Sequence, residues 1–193
     1  DSAVIAEEIA YCRDPIGVLI DLTEQFAKAF AEKKRSKNIL DYADLEHFAL
    51  EILVQQEDGR LVRTDAAREL SEQFREIMID EYQDSNFIQE ALLSAVSGEE
   101  EGRWNRSMGG DIKQSIYGFR LARPELFLEK YHTYAKDGES QQRIDLDKNF
   151  RSRPEVLATA NYVFRKLMSP ELGGIAYDEA ASLHAGAAFP ALP

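Results

Sequence analysis

The sequence is poor in the residues that most often announce a site. It holds one cysteine, Cys12, so no disulfide can form within the chain. Its three histidines, His47, His132 and His184, lie far apart and share no metal-ligand spacing. A zinc ribbon or a disulfide-stapled scaffold is thereby excluded. No apolar run approaches the ~20 residues that span a bilayer. The opening "DSAVIAEEIAYCRD" has neither a basic n-region nor a cleavage signal. These absences point to a soluble, cytoplasmic protein with no membrane partner. No GxxxxGK[ST] occurs anywhere, so the sequence carries no P-loop to cradle phosphates.

Positive charge is also scarce, with a net charge of −12. That argues against a general nucleic-acid binder, but the charge is uneven. Residues 1–100 carry 23 acids against 10 bases, whereas Arg103 to Lys166 carry 13 bases against 8 acids. A basic segment behind an acidic one can still contact phosphates locally.

What is present begins with a hydrophobic content of 44% over 193 residues, enough for one large domain or two small ones. Asp14-Pro15 predicts the end of one helix and the start of another, since proline tolerates the first helical turn and aspartate can cap it. Val18, Leu19, Leu22, Phe26 and Phe30 then recur at helical spacing. The basic run Lys33 to Lys37 suits a helix C-terminus, either as a solvated end or as a phosphate contact. Asp41 is the expected N-cap of a helix whose apolar face is Tyr42, Leu45, Phe48, Ala49, Ile52 and Leu53. Asp58-Gly59 marks a turn, and a short helix is expected over residues 65–72.

"FREIMID" reads as a buried strand ending abruptly in acids, and "SNFIQEALLSAV" as a helix. "SGEEEGRWN" reads as an exposed loop and "RSMGGD" as a weak strand. "RPELFLEKYHTYA" is a helix, "KDGESQQ" a polar loop, "RIDLD" a strand and "RPEVLATANYVFRKLM" a helix. The Gly- and Ala-rich tail is expected to wind over the surface. There is no internal repeat. Strands alternating with helices predict an α/β fold with parallel strands. In such sheets ligands bind beyond the carboxyl ends of the strands, where three polar clusters fall.

The first cluster is Asp80-Glu81, in "IMIDEYQD". A carboxylate at a strand tip can hold Mg2+, a hard cation that prefers oxygen ligands, and a neighbouring glutamate can act as a general base. The two acids could equally serve only to favour the N-terminus of the next helix. The second is "GGDIKQSIYGFR". Gln114 can donate and accept toward a phosphate oxygen or a water. Tyr117, Phe119 and Arg120 interleave aromatic and basic groups, as stacking on unpaired bases requires; alternatively the two rings belong to the core. The third is "NFRSRP", where Phe150 could stack on a base and Arg151 pair with a phosphate, or both could simply precede a helix.

Together the three clusters are more specific than any one alone. In order they resemble motifs II, III and IV of the UvrD/Rep-like superfamily 1 helicases. The wider text, including "LDYADLEHFALEIL", "GDIKQSIYGFRLARPELFLEKY" and "YDEAA", is similar to the AddA branch, the helicase–nuclease subunits of bacterial recombination complexes. The likeness runs from about Leu19 to Pro190. It implies an ATP-dependent DNA helicase and exonuclease that moves on single-stranded DNA from duplex ends, beside an AddB-like partner subunit. It implies ATP and Mg2+ as cofactors, with Asp80 and Glu81 at the metal and Glu81 activating water. Gln114 would couple the γ-phosphate to DNA, Tyr117, Phe119 and Arg120 would line the DNA track, Phe150 would lie against adenine, and Arg151 would reach the γ-phosphate.

By the same resemblance, residues 1–72 are a mainly helical part of a first RecA-like lobe. Residues 73–136 complete that lobe, and 137–193 begin a second. The family's phosphate loop, later motor motifs and nuclease domain are not in the sequence, so the reading is of a fragment inactive by itself. Gly109 and Gly118 depart from the family pattern, and Ser107 interrupts what should be an apolar strand, which glycine and serine weaken. Two rival readings remain. One is a Mg2+-dependent phosphohydrolase or nuclease built on Asp80, Glu81, Asp84 and Asp111. The other is a non-catalytic interaction module.

Overall fold

Asp41 caps a helix as its position predicts. Its Oδ1 accepts the Asp44 N–H at 3.0 Å, while Asp44 Oδ2 accepts the Asp41 N–H at 2.9 Å. This is the start of α2 (Tyr42–Leu53), and it follows α1 (Ser2–Lys37) in a computed structural model that describes residues 2–138 and 140–190. The chain divides into two compact units, Asp1–Phe48 and Ala49–Pro193.

In the first unit, Asp14-Pro15 does not break the helix as predicted: Pro15 lies inside α1. Proline removes a single backbone bond, at a cost of about 3 kcal/mol, and the helical bonding on either side continues past it. The apolar residues predicted at helical spacing are on this helix but stay exposed. Phe26 and Phe30 stack at 5.6 Å, and Lys34 sits 4.7 Å over the Phe30 ring. Lys34 is neither a solvated end nor a free phosphate contact. Its Nζ bonds Asp41 at 2.9 Å and Asp44 at 2.6 Å, clasping the end of α1 to the start of α2.

In the second unit, Leu53 ends α2 and two strands follow that the sequence reading missed. β1 (Val54–Glu57) and β2 (Arg60–Arg63) pair antiparallel, with Glu57 opposite Arg60. Asp58 and Gly59 form the turn, with φ of 49° and 78°. Both values are positive, as the two-residue hairpin turn matching strand twist demands. Thr64 then caps α3 (Asp65–Gln73) by accepting the Ala67 N–H at 3.2 Å. Leu53, Ala67 and Ala95 make a small core, packed by Val54, Leu70, Leu92 and Val96.

β3 (Ile77–Ile79) pairs in parallel with β4 (Arg106–Met108). Between them lies α4 (Phe87–Ala95), opened by a capping box in which Asn86 and Gln89 exchange side-chain and backbone bonds. β3 is not buried as predicted. Side chains alternate across a strand, and Met78 points to an open side with 78% exposure. The "SGEEEG" segment is likewise more than an exposed loop. Arg63, 5% exposed, donates to Glu100 at 2.9 Å, to the Ser97 carbonyl at 2.9 Å and to Glu101. These bonds tie the segment to β2.

α5 (Pro124–Thr133) and α6 (Pro154–Leu167) begin at prolines as expected. The predicted strand 143–147 does not form. The backbone becomes a strand only at β5 (Lys148–Asn149), which pairs in parallel with β6 (His184–Ala185). The tail runs mostly as irregular chain, with Tyr177 and Ser182 buried. The architecture is helices with two parallel strand pairs and one antiparallel pair, compatible with an α/β fragment. Among the described residues, no helix is long and apolar enough to cross a membrane.

Candidate functional site

The strand pair β3–β4 places two loops side by side at its carboxyl end. Gly109 N–H donates to the Ile79 carbonyl at 2.8 Å, and Tyr82 N–H donates to the Gly109 carbonyl at 2.9 Å. Asp80 and Glu81 therefore stand beside Gly109, Gly110 and Asp111. Asp80, Glu81 and Asp84 line an open cleft of about 420 Å³ together with Ile79, Ser85 and Leu92.

Each of the first two acids has one oxygen tied and one available. Asp80 Oδ1 accepts the Glu81 N–H at 2.9 Å. Glu81 takes the left-handed conformation, φ 51°, and its Oε2 accepts from Gln83 Nε2 at 2.7 Å. Both side chains are exposed. Asp84 Oδ1 is buried without a partner. Burial first, then the charge of Glu81, pushes the Asp84 carboxyl above its ordinary value.

Asp111 faces its own loop. Its carboxylate holds Lys113 Nζ at 2.8 Å and Gln114 Nε2 at 3.1 Å, and caps a short 3-10 turn over Ile112–Gln114. The four acids of the phosphohydrolase reading do not converge: among the described residues, no group of three or more His, Cys, Asp or Glu could hold a metal ion. Two carboxylates in an open cleft still suit Mg2+, which keeps several waters.

Beyond Gln114 the loop carries Tyr117 and Phe119, whose ring centroids are 6.1 Å apart. The Arg120 guanidinium lies 5.2 Å from the first ring and 5.5 Å from the second. The rings are not core residues, with 37% and 78% exposure. Gly118 between them would meet nothing on gaining a Cβ.

Phe150 and Arg151 stand apart, beyond β5, and both are exposed. Asn149 Oδ1 accepts the N–H of Arg151 at 3.0 Å and of Ser152 at 2.8 Å, which shapes the turn. Among the described residues, no hydrogen bond or ion pair joins Phe150 or Arg151 to Asp80, Glu81 or Gln114. The structure thus assembles the first two clusters and leaves the third separate.

Residues 18–135 match the family described as the UvrD/REP helicase N-terminal domain. The chain belongs to the UvrD/REP helicase family. The match covers the acids of β3 and the loop from Gly109 to Arg120, while Phe150 and Arg151 lie outside it. Relatives of this UvrD/REP helicase chain include proteins named as ATP-dependent helicase/nuclease subunits of the AddA type. That of Lachnoclostridium phytofermentans is 54% identical over 92% of the chain and 13% of its own length. That of Staphylococcus haemolyticus is 51% identical over 89% of the chain and 14% of its own length. That of Bacillus pumilus is 46% identical over 95% of the chain and 15% of its own length. The chain therefore spans about one seventh of the curated relatives it matches.

The sequence reading missed a buried polar hub behind the UvrD/REP helicase acids. Tyr82, fully buried, donates its hydroxyl to Glu90, which also pairs with Arg106 at 3.1 Å and Lys130 at 3.1 Å. Arg106 in turn holds Glu99 at 2.6 Å. Its signal was the arginine at the head of a strand, which no surface role explains. Burial would raise the Glu90 carboxyl, but the Tyr82 bond and the charges of Arg106 and Lys130 outweigh it and hold the group below its ordinary value.

A carboxyl lowered on folding contributes stability above its unfolded value of 4.5 and loses it as pH falls through the folded value. Asp84, raised on folding, acts in the opposite sense. We expect the urea midpoint of the chain to fall on acidification below pH 4.5. Glu90→Gln should begin from a lower midpoint at neutral pH and show a flatter acid limb. Superimposable acid limbs would refute the assignment.

Proposed function

We propose that the chain is part of the ATP-driven motor of a cytoplasmic DNA helicase–nuclease subunit. Such a protein would act on single-stranded DNA and duplex ends in double-strand break repair and recombination, beside an AddB-like partner. The observation that carries this reading is the pair Asp80 and Glu81 at the end of β3, each with one oxygen anchored and one free at the same cleft. The relatives' name supports ATP and DNA as ligands. The proposed layout is a mainly helical part of a first RecA-like lobe in residues 1–72, its completion in 73–136, and the start of a second lobe in 137–193.

The donor set fits ATP-bound Mg2+. Asp80, through Oδ2, and Glu81 would hold it, and when bound the ion neutralises charge on the phosphates. Glu81 Oε1 accepts the proton of the attacking water. Gln114, held to Asp111 through Nε2, keeps Oε1 for the γ-phosphate side. Phe150 offers its exposed face to adenine, and Arg151 offers a guanidinium to the γ-phosphate as the second lobe closes. With no GxxxxGK[ST] in the sequence, ATP turnover requires the longer protein.

Tyr117, Phe119 and Arg120 form the DNA-facing surface, with rings open for stacking and a cation for phosphate. Stacking is worth ~1–3 kcal/mol per base. In the full-length protein, Tyr117→Ala or Phe119→Ala should therefore weaken single-stranded DNA binding about tenfold, measured by fluorescence anisotropy. DNA-free ATP hydrolysis should not change. Unaltered affinity in both variants would remove the DNA track from this loop.

A further inference from the structure

We infer that Gln83 is a positioning residue that ties the carboxylate of Glu81 to the loop carrying Gln114. This rests on the nucleotide reading above and deepens it. Gln83 is fully buried, although its amide needs partners on both ends. It finds them on two different loops. Nε2 donates to Glu81 Oε2 at 2.7 Å and, more distantly, to Asp84 Oδ2 at 3.4 Å. Oε1 accepts the Asp111 N–H at 3.0 Å. Turning the amide over would set an NH2 against an N–H and an oxygen against two carboxylates, so one orientation alone satisfies both sides.

The neighbouring glycine makes room for this link. A Cβ on Gly110 would lie 2.5 Å from Gln83 Oε1 and 3.3 Å from the backbone nitrogens of Tyr82 and Gln83. Gly110 is thus the position that lets the amide reach the Asp111 N–H. On the other side, the left-handed backbone of Glu81 is unfavourable for a residue with a side chain, and the bond from Gln83 holds that side chain in place.

The result is a continuous relay from Glu81 through Gln83 to the Asp111 N–H, and from the Asp111 carboxylate to Gln114. Tyr117 lies three residues further along the same loop. A shift of the loop on DNA binding would move the Gln83 oxygen anchor, and with it the carboxylate that activates water. No direct contact between Gln114 and Glu81 is needed.

The test uses the full-length protein and steady-state ATP hydrolysis with and without single-stranded DNA, with Glu81→Gln as reference. Gln83→Ala should lower the DNA-stimulated kcat about thirtyfold, with KM for ATP within about twofold and the DNA-free rate changed far less. A purely structural role would lower both rates in proportion. Gln83→Glu keeps the shape and the Asp111 bond but sets a carboxylate against Glu81. It should show the same loss, and it decides the matter if alanine prevents folding. Gly110→Ala should reproduce the defect by displacing the amide. The Gln83→Ala/Gly110→Ala double variant should be no worse than Gln83→Ala alone, since the space is then vacated. Wild-type DNA stimulation in Gln83→Ala, or a full added defect in the double variant, would overturn the proposal while Glu81→Gln stays inactive. If Glu81→Gln itself hydrolyses ATP normally, the nucleotide reading falls first and takes this proposal with it.

Discussion

Glu81→Gln is expected to lower DNA-stimulated ATP hydrolysis by the full-length protein about a thousandfold, within the ~10²–10⁴ that general-base catalysis contributes. Glutamine keeps the length of the side chain and can still accept from Gln83 Nε2, the bond that measures 2.7 Å. What it loses is a basic oxygen at the cleft. ATP affinity should therefore stay within about twofold, and the defect should appear in kcat. A variant with high kcat and raised KM would mean that Glu81 binds nucleotide rather than activating water.

Arg106→Ala is expected to destabilise the chain by ~3–5 kcal/mol, the usual cost of removing one partner from a buried ion cluster. The Arg106 side chain is 5% exposed and serves Glu90, Glu99 and Ser94 at once. Alanine leaves two carboxylates facing each other's charge without their shared cation. Burial lowers the Arg106 guanidinium's tendency to stay charged, but its bonds to Glu99 and Glu90 more than restore it. A domain is typically stable by only ~5–15 kcal/mol, so the loss should show plainly in urea unfolding followed by circular dichroism. A change below about 1 kcal/mol would show that the cluster is a surface ornament.

What could be read beforehand follows from the range of each interaction. Caps and tight turns are written within four residues, so Asp41 and the Asp58-Gly59 turn were legible. The helices starting at Pro124 and Pro154 were legible for the same reason. The β1–β2 hairpin was not. "LVQQE" continues the apolar spacing of α2 as far as Val54, and the exposed glutamines give no alternation. Pro15 misled because a local rule predicted a break that longer-range helical bonding overrode. The strand expected at 143–147 formed later, since a strand exists only where a partner meets it, here His184–Ala185.

At the site, the chemical types were legible and the wiring was not. Asp80, Glu81 and Gln114 stand out as residues. The bond from Gln83 to the Asp111 N–H spans 28 positions and depends on Gly110 lacking a side chain. Ser107 and Gly109 were expected to disturb β4, yet the strand forms. Ser107 donates its hydroxyl to Glu76 at 3.1 Å, and Gly109 falls just outside the strand, where a Cβ would make only ordinary contacts.

The central claim is that Asp80 holds the metal of an ATP site, and a ligand swap tests it most directly. Cysteine at position 80 replaces a hard oxygen donor by a soft thiolate, which binds Mg2+ poorly and softer ions such as Cd2+ well. The DNA-stimulated ATPase of full-length Asp80→Cys should be lost in Mg2+ and partly restored by Cd2+ added with it. The wild-type enzyme should gain nothing from that addition. Wild-type activity of Asp80→Cys in Mg2+ alone would contradict the account.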